Sequence, residues 1–245
     1  MWWVAAAWAS GEATVLEAPA LRIDIPQGNI RVTADDSVTQ IAIEVDRTRW
    51  STACSLTVAV EGTEAVVRAV RSGSPTHSCR VDVEARIPRA TSVVAETSAG
   101  NVSLAGTAGG RVRIGLGDLV IAGVTGALDA EIVTQGDLVG SFAGESLTVR
   151  VNAGLIRLGG LACPAAVSVP IGKIELNYAT APAGVIDLGT GAGRVAVWLP
   201  PQTPVSVAGF DARLGTLVSE LPVDEAAPTV LRGVRHTGRV EILAN

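Results

Sequence analysis

The sequence is short of the residue types on which most catalytic and metal sites are built. Its 245 residues include two histidines (His77 and His236), three cysteines and a single lysine, Lys173. No Cys-x-x-Cys pair occurs, and two histidines cannot assemble a zinc-ligand spacing, which argues against a structural zinc site. Aromatic residues are also scarce, at 3% of the chain. With 18% charged residues and a formal net charge of −5, the chain lacks the basic excess that phosphate neutralisation needs, so nucleic acid is not an expected partner. The longest apolar run, Trp2 to Ala9, is eight residues. A bilayer-spanning helix needs about 20, so no transmembrane helix is expected. No 12-residue stretch free of glycine and proline keeps apolar residues at i, i+3, i+4 and i+7, so helix should be scarce.

Glycine and small aliphatic residues are plentiful instead. There are 27 glycines, and 48% of residues are hydrophobic, too many for a disordered chain. A pentapeptide of glycine, any residue, aliphatic, any residue and usually aliphatic recurs along the sequence. It reads Gly28-Asn-Ile-Arg-Val32, Gly100-Asn-Val-Ser-Leu104, Gly117-Asp-Leu-Val-Ile121, Gly136-Asp-Leu-Val-Gly140, Gly154-Leu-Ile-Arg-Leu158, Gly172-Lys-Ile-Glu-Leu176, Gly193-Arg-Val-Ala-Val197 and Gly238-Arg-Val-Glu-Ile242. From Gly100 to Gly193 the glycines are 17, 19, 18, 18 and 21 residues apart, a near-constant period that marks a stacked repeat. Second alternating runs lie between the copies, such as Arg111-Val-Arg-Ile114, Leu128-Asp-Ala-Glu-Ile132 and Leu147-Thr-Val-Arg-Val151.

Alternation of apolar and polar residues predicts strands with one buried face. Two short strands per repeat cannot close a core alone, but stacking turn on turn pairs every backbone group with the rung above and below. The expected fold is therefore all-β, a β-solenoid (a parallel β-helix or β-roll-like stack) with rungs of about 18 residues. Glycine fits a corner where the chain takes positive φ or approaches its neighbour closely.

The domain reading has three parts. Residues 1–17 are a signal-like or disordered N-terminus, with small residues in an Ala-x-Ala arrangement after the apolar stretch but without the length or basic region of a full leader. Trp2, Trp3 and Trp8 either belong to a cleaved leader or sit at a membrane interface. Residues 18–90 are an N-terminal antiparallel β cap packing on the solenoid, needed because an open end would expose strand edges. Residues 91–245 carry the solenoid repeats and C-terminal capping strands. Cys54 and Cys79 each precede a strand-like run and are placed for a disulfide if the location is extracytoplasmic. Cys163 reads as a small buried hydrophobe.

The order of Gly-Asn-Ile-Arg-Val, a strand ending in Ile87-Pro88, the series of glycine rungs, Gly193-Arg-Val-Ala-Val-Trp-Leu-Pro200 and a terminal Gly-x-Val-x-Ile resembles the bacterial β-strand-repeat family labelled "putative adhesin", over residues 18–243. The resemblance implies an extracytoplasmic β-solenoid (periplasmic, cell-surface or secreted) and supplies no catalytic residues.

Asn101, Asp118 and Asp137 follow the glycine in three successive copies, so a parallel stack brings them about 5 Å apart. They are the candidates for a calcium site, set against a plain side-chain ladder of turn residues. Arg111, Arg113, Arg150 and Arg157 alternate with inward aliphatics and form an outward stripe, a candidate surface for acidic glycans or lipid headgroups, or a solvated face balanced by Glu131, Glu145 and Asp187. Gly189-Thr-Gly-Ala-Gly-Arg194 superficially resembles a phosphate loop, but no helix follows it. The expectation is a non-enzymatic exported protein, without cofactor, that binds a cell-envelope or surface component or a glycan. The alternatives are a self-associating scaffold of stacked solenoids and a calcium-dependent glycan-active enzyme.

Overall fold

The computed structural model describes residues 13–73, 78–209, 215–234 and 237–245. Among them the fold is all-β, with no helix. The strands are β1 (Thr14–Leu16), β2 (Ala20–Ile25), β3 (Ile30–Ala34), β4 (Ile41–Arg49), β5 (Cys54–Glu61), β6 (Glu64–Arg71), β7 (Arg80–Ile87), β8 (Ser92–Ala99), β9 (Val102–Ala105), β10 (Gly110–Leu116) and β11 (Leu119–Val124). They continue with β12 (Leu128–Gln135), β13 (Leu138–Phe142), β14 (Leu147–Val151), β15 (Ala153–Leu161), β16 (Ala165–Tyr178), β17 (Gly184–Leu199), β18 (Val205–Ala208), β19 (Gly215–Ser219), β20 (Thr229–Val234) and β21 (Thr237–Ala244). No helix among the described residues is long and apolar enough to cross a membrane.

The strands form one sheet, mostly parallel, in which two ladders can be followed. The first runs β2, β8, β10, β12, β14, the first half of β16, the first half of β17, β20 and β18. The second runs β3, β9, β11, β13, β15, the second halves of β16 and β17, β21 and β19. Each repeat thus supplies one strand to each ladder. β16 and β17 pass unbroken from the first ladder to the second and so join both into a single sheet.

In-register pairing stacks like residue on like residue. On the first ladder Val112, Ala130, Val149, Val167 and Leu188 form one buried column. On the second, Leu119, Leu138, Ile156, Ile174, Val195 and Val240 form another. Aliphatic side chains of similar size fill such columns without steric conflict, and each fully buried one contributes about 2 kcal/mol of transfer free energy. The bulkiest buried side chains, Phe142 and Tyr178, sit where strands of the second ladder end.

The repeat glycines form their own column at the corner between the ladders. A Cβ built on Gly172 would lie 1.8 Å from the carbonyl oxygen of Gly154, and φ there is +148°. The same collision with the preceding glycine's carbonyl recurs from Gly100 to Gly238. No side chain fits that gap, so glycine is required by close approach as well as by φ.

The two ends depart from the order of the chain. Gly100 stacks on Gly28, although β4 to β7 lie between them in sequence. β6 and β7 instead pair in parallel with the opposite edges of β2 and β3. At the other end β20 and β21 insert between β17 and the pair β18 and β19.

The region 18–90 is therefore not an antiparallel cap, as the turn-rich spacing of its strands suggested. β2 and β3 are rungs of the parallel ladders, and only β5 on β6, β4 on β7 and β1 on β4 are antiparallel. Long parallel connections replace the hairpins that short turns imply, except at the tight Glu61-Gly62-Thr63 turn between β5 and β6. Of the segment 1–17, the described part contains β1, so it is not wholly irregular. A disulfide joins Cys54, at the start of β5, to Cys79, just before β7, across 25 residues.

Three stability outcomes follow. Gly172→Ala should destabilise by on the order of 4 kcal/mol or more. Gly62→Ala, where a Cβ meets nothing within 4 Å at φ +64°, should cost only about 1 kcal/mol; urea unfolding compares the two. Reducing the disulfide should cost about 3.5 kcal/mol, the loop entropy for a ring of this length, read as a shift of the same transition.

Candidate functional site

The acidic and amide residues after the glycines do align, and their side chains already have work. The backbone N–H of Asp118 donates to Oδ1 of Asn101 at 2.9 Å. That of Asp137 donates to Oδ1 of Asp118 at 2.9 Å, and that of Leu155 to Oδ1 of Asp137 at 2.8 Å. The chain of contacts extends the other way: the N–H of Asn101 donates to Oδ1 of Asn29 at 3.2 Å, and that of Asn29 to Oδ1 of Asp82 at 2.7 Å. Each side chain thus ties its own rung to the backbone of the next. A hydrogen bond to a charged acceptor contributes roughly 1.5–3 kcal/mol. No group of three or more His, Cys, Asp or Glu among the described residues is arranged to hold a metal ion. Asn29 belonged to the first glycine copy and so was legible as a member. Asp82 follows Val81 instead of a glycine and carried no such signal.

The four arginines do not form one stripe. Arg111, Arg113 and Arg150 lie on the first ladder, on β10 and β14, while Arg157 lies on β15 in the second. The reason is positional: Arg157 sits inside a glycine pentapeptide, the others in the runs between. Each has a carboxylate on a neighbouring rung. Asp129 is 3.9 Å from Arg111 and 3.7 Å from Arg150, Glu131 accepts from Arg113 at 2.7 Å, and Glu175 accepts from Arg157 at 2.6 Å. The hydrogen bond that Arg157 donates to Glu175, reinforced by the carboxylate's charge, raises the pKa of Arg157 above the usual guanidinium range. Asp187, which the sequence placed beside this stripe, pairs with Arg232 instead. Exposed pairs of this kind are worth at most about 1 kcal/mol each, so these contacts balance the surface charge more than they stabilise the fold.

Beyond Leu155 the column that began with Asp82 changes sign. Leu155, Lys173, Arg194 and Arg239 stand in direct register on successive rungs. Glu241, with a side chain only 7% exposed, accepts from both Arg194 and Arg239. This basic half was visible in the repeat as Gly-Lys, Gly-Arg and Gly-Arg, the same position that yields Gly-Asn and Gly-Asp earlier. The glycine-rich segment ending at Arg194 lies within β17, where no helix follows to bind an anion.

Cys163 is buried, and burial pushes its thiol pKa up. The hydroxyl of Tyr178 is buried without a hydrogen-bond partner among the described residues, and burial raises its pKa strongly. His77, His236, Trp2, Trp3 and Trp8 lie outside the described residues.

No protein-family model matches the chain, and no curated protein is similar to it. Among solved structures the chain is similar to one described as a putative cell adhesion protein from Clostridium sporogenes ATCC 15579. The identity is 10% over 96% of this chain and 99% of that one, with a TM-score of 0.23.

The ladder makes a clear prediction. Asp118→Ala should lose about 1–3 kcal/mol because the N–H of Asp137 loses its acceptor. Asp118→Asn, which keeps an oxygen in place, should retain most of that, and added calcium should leave the unfolding midpoint of the unsubstituted protein unchanged.

Proposed function

We propose that this chain is an exported, non-enzymatic β-solenoid that presents a rigid surface to a component of the cell envelope or to a glycan, as an adhesin-like module. The observation that carries the reading is the use to which the candidate active residues are put. Oδ1 of each of Asn101, Asp118 and Asp137 is accepting a hydrogen bond from the backbone of the next rung. Groups held this way orient the backbone and keep the stack in register, which suits a rigid binding surface better than proton or metal chemistry. In-register columns on the two parallel ladders support the solenoid reading, since each repeat adds one rung with the same outward positions.

The Cys54–Cys79 bond supports the extracytoplasmic location, because such bonds persist in oxidising compartments and are rare where thiols are kept reduced. The expected outcome of lysing the native cells directly into denaturant that contains an alkylating agent, followed by mass measurement, is one modified cysteine, the otherwise buried Cys163. Three modified cysteines would contradict export. On the activity side, purified protein should bind envelope or glycan fractions without releasing new reducing ends, with or without calcium. Cleavage that disappears in Asp118→Asn would overturn the non-enzymatic reading.

A further inference from the structure

The column of residues that follows the repeat glycines is self-complementary in charge. On successive rungs it reads Asn101, Asp118, Asp137, Leu155, Lys173, Arg194 and Arg239. Leu155 is at its centre. One rung to either side stand Asp137 and Lys173, and two rungs away stand Asp118 and Arg194. All four charged residues are exposed. Within one chain Asp137 and Lys173 are two rungs apart, about 10 Å, too far to pair. Lys173 has no ion-pair partner among the described residues, unlike Arg194 and Arg239, which share Glu241.

The residue before each glycine completes the same edge. Leu116, Gln135, Ala153, Ile171 and Ala192 occupy that position on the same five rungs, and Ala153, Ile171 and Ala192 are in direct register. Ile171 is 65% exposed and Leu116 52%, the first of them the most exposed large hydrophobic residue among the described residues. The edge therefore combines exposed apolar side chains with opposite charges placed symmetrically about one residue.

We propose that a second copy of this chain docks on this edge, the two stacks lying side by side and antiparallel about a two-fold axis at Leu155. The axis sets Leu155 against Leu155 and Ala153 against Ala153. It sets Asp137 against Lys173 of the other copy and Asp118 against Arg194, each pair occurring twice. An isologous contact needs one patch that complements itself under rotation, and this column meets that condition. The remaining oxygen of each aspartate is available for the pair, because the ladder within the chain uses Oδ1 of each. Parallel alignment of the stacks would instead oppose Asp137 to Asp137 and Lys173 to Lys173. Charge thus selects the antiparallel arrangement. The inference goes beyond the binding role proposed above and does not depend on it: its test reads mass and cross-link position, not ligand capture.

Sedimentation velocity on the full chain should show a dimer at low salt whose population falls as the Debye length shrinks to about 3 Å near 1 M salt. Lys173→Glu, which faces Asp137 with a like charge, should abolish the dimer, and adding Asp137→Asn, which keeps the ladder's acceptor oxygen, should restore part of it. Leu155→Cys should form an intermolecular disulfide under mild oxidation, while Glu225→Cys, on an exposed loop away from the edge, should not. Because Lys173 is the only lysine, a zero-length carbodiimide cross-link between copies should map to Lys173 and Asp137. Circular dichroism confirms that each variant is folded, and the Leu155→Cys cross-link tests the proposal even if Lys173→Glu is not. A monomer at all concentrations and salts would overturn the proposal. So would a dimer indifferent to Lys173→Glu, including one held through the outer edges of β18 and β19. An acidic polysaccharide bound by Lys173 of a persistent monomer would overturn it as well.

Discussion

The structure depends on how closely one rung's backbone can approach the next at the corner between its two ladders. At Gly172 the gap to the carbonyl of Gly154 leaves no room for even a methyl group, and the same gap recurs at each repeat. With it in place, strands pair in register, aliphatic columns close over the core, and outward residues line up at one spacing. A side chain at the corner would push a rung away from its neighbour. The backbone hydrogen bonds on both ladders would then lengthen together, so the penalty falls on the whole stack and not on one turn.

In-register stacking imposes a cost of its own, because it also aligns like charges. The molecule answers in two ways. On the first ladder, carboxylates on β12 face arginines on β10 and β14, so signs alternate along the stack. In the column beside the glycines, the early rungs use aspartate and asparagine as acceptors for the neighbouring backbone, and on the late rungs Arg194 and Arg239 share the buried Glu241. This division leaves the early half of the edge anionic and the late half cationic. It is the origin of the surface asymmetry from which self-docking follows, and it assigns the acidic ladder to holding rungs together.

Much of this was legible in the sequence because in-register parallel ladders turn a regular spacing along the chain into neighbours in space. The rungs from β8 to β17, the glycine corner and the alignment of Asn101, Asp118 and Asp137 all follow from a local spacing. The ends were not legible, and the reason is physical. Gly28 stacks on Gly100, and Gly193 on Gly238, across insertions that form the outermost rungs, so neighbours in space are far apart in the chain. Nothing in local alternation separates a strand that pairs with the previous rung from one that pairs with an earlier rung, and residues 18–90 read as an antiparallel unit for that reason. Asp82 was invisible because the residue before it is Val81, whose carbonyl nonetheless takes the place of the missing glycine beneath Gly28. Arg157 was grouped with the wrong arginines because outward projection alone does not say on which ladder a residue lies.

Side-chain oxygens on one rung hold the backbone of the next in register. Amide hydrogen exchange measures it most directly, because Asp118 and Asp137 are exposed residues whose amides water would otherwise reach freely. The amides of Asp118, Asp137 and Leu155 should exchange as slowly as those of the buried Leu119 and Leu138, through opening of the whole stack. Asp118→Ala should selectively speed exchange of the amide of Asp137. Exchange of these three amides at the rate of an unstructured peptide, or no response to Asp118→Ala, would contradict it.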